Sequence, residues 1–188
     1  MTDRLRAAAL SLLLGLPALS ADAQALGKCE RLIVTGSPDA PPYLWRDPQD
    51  PAHLIGASAD LLRQVAGELG LKVEVLYGGK RSQARDEVRS GRMDLLLDAP
   101  IALDEQDSLD YIHPALLYND LKASAQPVDQ PGLFLAVSHN SACNDPWLRG
   151  QLAKKMTELP ASGLTEAALQ RNLERWKAQS QPVSAPKP

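Results

Sequence analysis

Residues able to carry covalent or metal chemistry are few in this chain, and they are scattered. The histidines are His53, His113 and His139, and the cysteines are Cys29 and Cys143 alone. No His-Glu-x-x-His pattern and no paired Cys-x-x-Cys spacing is present, so neither a metal nor a cofactor is expected. His139 and Cys143 stand four apart, a spacing a thiol–imidazole dyad can use, but Cys143 has a better use as the disulfide partner of Cys29. Gly78-Gly79-Lys80 lacks the length and the Ser or Thr spacing of a phosphate-binding loop. The expectation is therefore a protein that is not an enzyme. What remains is recognition chemistry: the carboxylates Asp39 and Asp98, the cations Lys80 and Arg81, and two aromatic faces, Tyr43 and Trp45.

The elements that would gather these residues read as strand, helix, strand, helix, strand from residue 31 to 99. An apolar run at 32–35 precedes Gly36 and reads as a buried strand. Ser58 is placed to N-cap a helix whose apolar positions Leu61, Leu62, Val65, Ala66 and Leu69 share one face, and Gly70 ends it. Residues 72–76 alternate as a strand, and Gly78 and Gly79 break it. Residues 82–90 read as a charged surface helix with Ala84 and Val88 inward, stopped by Gly91, and 93–97 is the third strand. Connections of this length favour right-handed crossovers and a mainly parallel sheet flanked by helices. In such sheets the ligand crevice lies outside the carboxyl ends of the strands, where the loops at 36–45, 77–81 and 98–102 carry all six recognition residues. For Tyr43 and Trp45 a plug at the sheet end remains the alternative. Asp39 has a local use capping its own turn, and Arg81 one in an ion pair with Asp86 or Glu87.

Residues 1–23 read as a secretory signal peptide: Arg4 and Arg6, an apolar run at 7–20 broken by Gly15 and Pro17, then small-x-small sites at 21–23 and 23–25. The run is shorter than the roughly 20 residues a spanning helix needs. Lys28 before Cys29 argues against a lipoprotein. Cleavage after Ala23 removes two cations and two anions, leaving the formal charge at −3. With no basic patch, nucleic acid is not an expected partner. In an oxidising compartment the even cysteine pair reads as a disulfide that staples the first strand to the C-terminal part.

Four segments carry a resemblance. Leu32-Ile-Val-Thr-Gly-Ser-Pro-Asp-Ala-Pro-Pro-Tyr43, Leu54-Ile-Gly-Ala-Ser-Ala-Asp-Leu-Leu62, Ser90-Gly-Arg-Met-Asp-Leu-Leu-Leu97 and Leu109-Asp-Tyr-Ile-His-Pro-Ala115 are similar in order and spacing to the first lobe of bacterial periplasmic solute-binding proteins of the polar-amino-acid type, family 3. Leu133-Phe-Leu-Ala-Val-Ser-His-Asn-Ser141, followed by two helices, resembles the return from the second lobe. The resemblance implies ligand-binding roles for Tyr43, as a stacking ring, for Asp39, near the ligand's amino end, and for Arg81. It also shows departures. Only residues 122–131 stand where a second lobe belongs, and Leu103 and Gln106 occupy the places of the Thr and Arg that clamp an amino acid's carboxylate.

The expected organisation is a signal peptide at 1–23, one lobe at 24–178 and a Pro-rich disordered tail at 179–188. Asp145-Pro146 starts a helix with Trp147, Leu148, Leu152, Met156 and Leu159 inward, and Leu169, Leu173 and Trp176 recur at helical spacing after Gly163. Two function classes follow. One is a periplasmic binding component of an ABC-type transport or sensing system for a small polar solute, held through Asp39, Tyr43, Trp45, Arg81 and Asp98. The other is a one-lobe interaction module that docks on an ABC permease, a sensor ectodomain or a periplasmic enzyme, or forms a homodimer.

Overall fold

The computed structural model of the chain describes residues 29–118 and 132–181. The expected signal peptide, the 122–131 connection and the part of the expected tail beyond residue 181 lie outside the described residues.

Five strands form the central sheet: β1 (Arg31–Gly36), β5 (Lys72–Val75), β6 (Leu95–Ala99), β7 (Leu109–Tyr118) and β8 (Gly132–Ser138), in the order β5-β1-β6-β8-β7. β1 pairs in parallel with β5, Val34 opposite Val75, and with β6, Val34 opposite Leu95. β8 runs antiparallel between β6 and β7, so the other four strands point one way. A smaller antiparallel sheet of β2 (Asp39–Ala40), β3 (Leu44–Arg46) and β4 (Leu54–Ile55) folds the expected first loop into a flap.

Burial on both faces explains the apolar runs of the central strands. On one face Leu32, Val34, Leu95, Leu97, Leu135 and Val137 pack with Leu61, Leu62 and Val65 of α1 (Ala57–Gly67) and with Leu148, Leu152 and Met156 of α3 (Pro146–Ser162). On the other, Leu96, Ala99 and Ala136 meet Ala84 and Val88 of α2 (Arg81–Arg89). The last helix, α4 (Leu164–Ser180), lies against α1. The disulfide Cys29–Cys143, with Cα atoms 4.9 Å apart, ties the approach to β1 to the turn before α3. No helix among the described residues is long and apolar enough to cross a membrane.

Several boundaries differ from the expectations. Gly56, not Ser58, caps α1. The Ala57 and Ser58 amides donate to the Pro42 and Tyr43 carbonyls, so the helix start is satisfied by main chain and the Ser58 hydroxyl is released for another partner. Gly56 has φ 142°, and a Cβ there would meet the Tyr43 carbonyl oxygen at 2.1 Å. β6 begins at Leu95 rather than 93, because the Asp94 carboxylate receives the Ile33 amide at 2.7 Å and the Ser141 hydroxyl at 2.6 Å as a crosslink below the strand. Trp147 sits on the outer face of α3 while Leu148, Leu152, Met156 and Leu159 are buried. In α4 the buried positions are Ala168 and Asn172, with Leu169 and Leu173 half-buried and Trp176 exposed. α4 also continues to Ser180, so Gln179 and Ser180 belong to a helix and not to a tail.

Candidate functional site at the strand ends

β6 carries the feature that shapes the edge. Leu96 pairs with Ala136 and Ala99 with Phe134, so three steps on β6 match two on β8 and one residue is extra. Such a bulge bends a strand and re-aims a side chain. Asp98 lies within it at φ 55°, a left-handed conformation that Asp tolerates better than most residues. Its Oδ1 accepts the Ser58 hydroxyl at 2.6 Å, while Oδ2 is buried and has no hydrogen-bond partner among the described residues. Burial pushes the Asp98 carboxyl up to about 6, and the Ser58 hydrogen bond opposes this only in part.

Beside Asp98 is a small recess of about 10 Å³, space for about one water, lined by Ser37, Arg81, Arg85, Asp98, Ala99 and Pro100 among others. The Ser37 hydroxyl is also buried without a partner among the described residues. Arg81 opens α2 at the rim. Its side chain is exposed, and the guanidinium makes no hydrogen bond or ion pair with the described residues. The suggested pairing with Asp86 or Glu87 is not formed, because Glu87 is engaged by Arg92 in two hydrogen bonds of 2.6 and 2.9 Å. Arg85, one turn on, reaches Glu105 at 3.3 Å, and the Glu105 carboxylate also accepts the Tyr111 hydroxyl at 3.1 Å. Glu105 is only 2% exposed. It anchors the short turn Leu103–Glu105 that follows β6.

Of the five residues expected to bind ligand, the structure brings Arg81 and Asp98 together. Asp39 is exposed on the flap, in register with Trp45. Tyr43 and Trp45 are each 3% exposed, and neither presents an open ring face. Tyr43 belongs to the main core. Trp45 donates its indole N–H to Gln179 Oε1 at 2.9 Å and meets the Trp176 ring edge-on at 5.8 Å. Both rings are therefore closed off, Tyr43 within the core and Trp45 under α4. Lys80 is exposed, and its amide donates to Gln83 Oε1 at 3.0 Å.

Sequence reasoning did not single out Ser37, Arg85 or Glu105, and it gave Ser58 only a helix-capping role. Ser37 had a usable signal, a polar residue directly after the first strand. Ser58 had none, since its partner lies 40 positions away across a bulge. The His139–Cys143 spacing does no thiol chemistry: Cys143 is bonded to Cys29, and His139 Nε2 lies 3.4 Å from Asp110 Oδ1. Burial works against the Asp110 charge, but Asn144, Arg149 and His139 together hold the carboxyl below its ordinary range. Among the described residues no group of three or more His, Cys, Asp or Glu side chains is placed to hold a metal ion.

No protein-family model matches the chain, and no curated protein matches it. Solved structures do. The arginine-bound form of domain 1 from TmArgBP is similar with a TM-score of 0.53 at 18% identity, over 69% of this chain and 94% of that one. The L-cystine solute receptor of Neisseria gonorrhoeae in its unliganded open conformation gives 0.60 at 14% identity, over 78% and 95%. An ancestral amino-acid-binding protein described as a precursor of cyclohexadienyl dehydratase gives 0.58 at 14% identity, over 77% and 95%. The chain thus has the fold of family 3 solute-binding proteins, built as a single lobe.

Proposed function

We propose that this protein is a one-lobed solute receptor of the periplasm, holding a small amine- or guanidine-bearing solute at the strand ends, as a binding component for transport or sensing. The observation that carries the reading is the pair of buried oxygens without partners among the described residues, Asp98 Oδ2 and Ser37 Oγ, at the recess between β6 and α2. A buried polar atom left unsatisfied costs about 1–3 kcal/mol, and an amine head group, whose nitrogen is about the size of the one water the recess holds, supplies the missing donors. Asp39 on the neighbouring flap adds a second negative charge. The similarity to the arginine-bound form of domain 1 from TmArgBP supports a single lobe as sufficient to hold a cationic solute.

Leu103 and Gln106 offer no bidentate anchor for an α-carboxylate. Neutral and acidic amino acids are therefore expected to bind no better than millimolar, about 4 kcal/mol. Titration calorimetry with arginine, lysine, a polyamine, glutamine and glutamate tests this. Heat from the cationic solutes that disappears in Asp98→Asn is the expected result; submicromolar binding of glutamate overturns it and makes Arg81 the anchor.

The second reading, an interaction module, is favoured by a different observation. Leu103 is 82% and Ile101 44% exposed on the segment that leaves the same strand end. Apolar side chains so exposed at an otherwise polar rim suit a protein partner.

A further inference from the structure

Leu103 stands out among the described residues because it is exposed and yet firmly held. The turn that carries it is closed by the Glu105 amide bonding to the Ala102 carbonyl at 3.2 Å and the Ser108 amide to the Glu105 carbonyl at 3.0 Å. It is pinned from both sides: Arg85 of α2 and Tyr111 of β7 both reach the buried Glu105 carboxylate, and the Ala102 amide donates to the Tyr111 hydroxyl at 3.3 Å. A turn with so fixed a main chain loses little further backbone freedom when it is covered, which favours association.

The charges around Leu103 have both signs. Asp104 and Asp107 are exposed on the same segment, and neither forms a hydrogen bond or ion pair with the described residues. Arg81 is equally unpaired, one helical turn before the Arg85 that grips Glu105. A rim with one sign of charge would call for a partner of the other. A rim holding an apolar knob flanked by unpaired charges of both signs is complementary to itself, because in a two-fold interface each residue meets its counterpart's neighbour.

From this juxtaposition we infer that a second copy of this chain docks across the strand-end rim, Leu103 of each protomer packing beside Ile101 of the other and Arg81 of each facing Asp104 of the other. The arrangement would also cover the recess, which a single lobe leaves open on one side. It does not depend on the solute reading, because association is read by sedimentation and solute binding by calorimetry, and either can fail alone.

Sedimentation equilibrium of the purified protein from micromolar to several hundred micromolar is the test. A reversible dimer is expected, with its dissociation constant raised at least tenfold by Leu103→Asp. That variant changes only an exposed side chain, so at concentrations where both proteins are monomeric its circular dichroism and unfolding midpoint should match the parent. Arg81→Asp should weaken the dimer, and Arg81→Asp combined with Asp104→Arg should restore it. A monomer throughout the concentration range, or a dimer indifferent to Leu103→Asp, overturns the inference. So does a double variant no better associated than Arg81→Asp alone.

Discussion

The Ser58 hydroxyl donates a 2.6 Å hydrogen bond to the Asp98 carboxylate, joining the first turn of α1 to the bulge that ends β6. The bond satisfies one carboxylate oxygen and leaves the other buried with no partner among the described residues. Asp98 is therefore the residue on which stability and recognition pull in opposite directions.

The first prediction follows from its titration. Folding raises the Asp98 pKa from 3.8 to about 6, so between those values the folded protein holds a proton that the unfolded chain has released. Stability from this group therefore falls as pH rises through that window, and the loss is complete above it, at about 3 kcal/mol. Asp98→Asn has no ionisation to lose. Its unfolding free energy should match the parent near pH 3.5 and exceed it increasingly up to pH 7. Denaturant melts of both proteins across that range check the difference, and parallel profiles would refute it.

Solute binding should show the opposite slope. A cationic solute prefers the ionised carboxylate, so arginine affinity should rise as pH increases through about 6. Calorimetry at pH 5 and 7.5 measures this, and equal affinities would place the cation elsewhere.

The Cys29–Cys143 bond closes a loop spanning 114 positions. In the chain-entropy model a loop of this length is worth about 4–5 kcal/mol. Urea unfolding with and without reductant should show that loss, and thiol titration of the denatured, unreduced protein should find no free sulfhydryl.

Arg85→Ala strands the Glu105 carboxylate, which is 2% exposed and keeps only the Tyr111 hydroxyl. The expected destabilisation is about 3 kcal/mol. Glu105→Gln should be milder, because an amide still accepts from Tyr111 and carries no buried charge. Chemical denaturation of the two variants gives the order.

Removing residues 174–188 takes away both Gln179 and Trp176, the groups that cover Trp45. In a Trp147→Phe background the single remaining indole is Trp45, and its emission should shift to the red. Unchanged emission would mean that Trp45 is shielded by the core alone.

Much of the architecture could be read along the chain because it is written in short-range signals. The apolar run before Gly36, the one-sided pattern of Leu61, Leu62 and Val65, and the inward Ala84 and Val88 report strand and helix periods within a few residues. Cys29 and Cys143 were legible as a pair because the sequence holds no other cysteine. The site depended on contacts that no local pattern encodes. Trp45 had the composition of an open aromatic face until Gln179 of α4, 134 positions later, came to lie on its indole. Asp98 looked like an ordinary loop carboxylate until one extra residue in β6 turned it toward Ser58. Periodicity decides which face of an element is buried; the approach of distant elements decides which polar atoms are left without partners, and those atoms make the site.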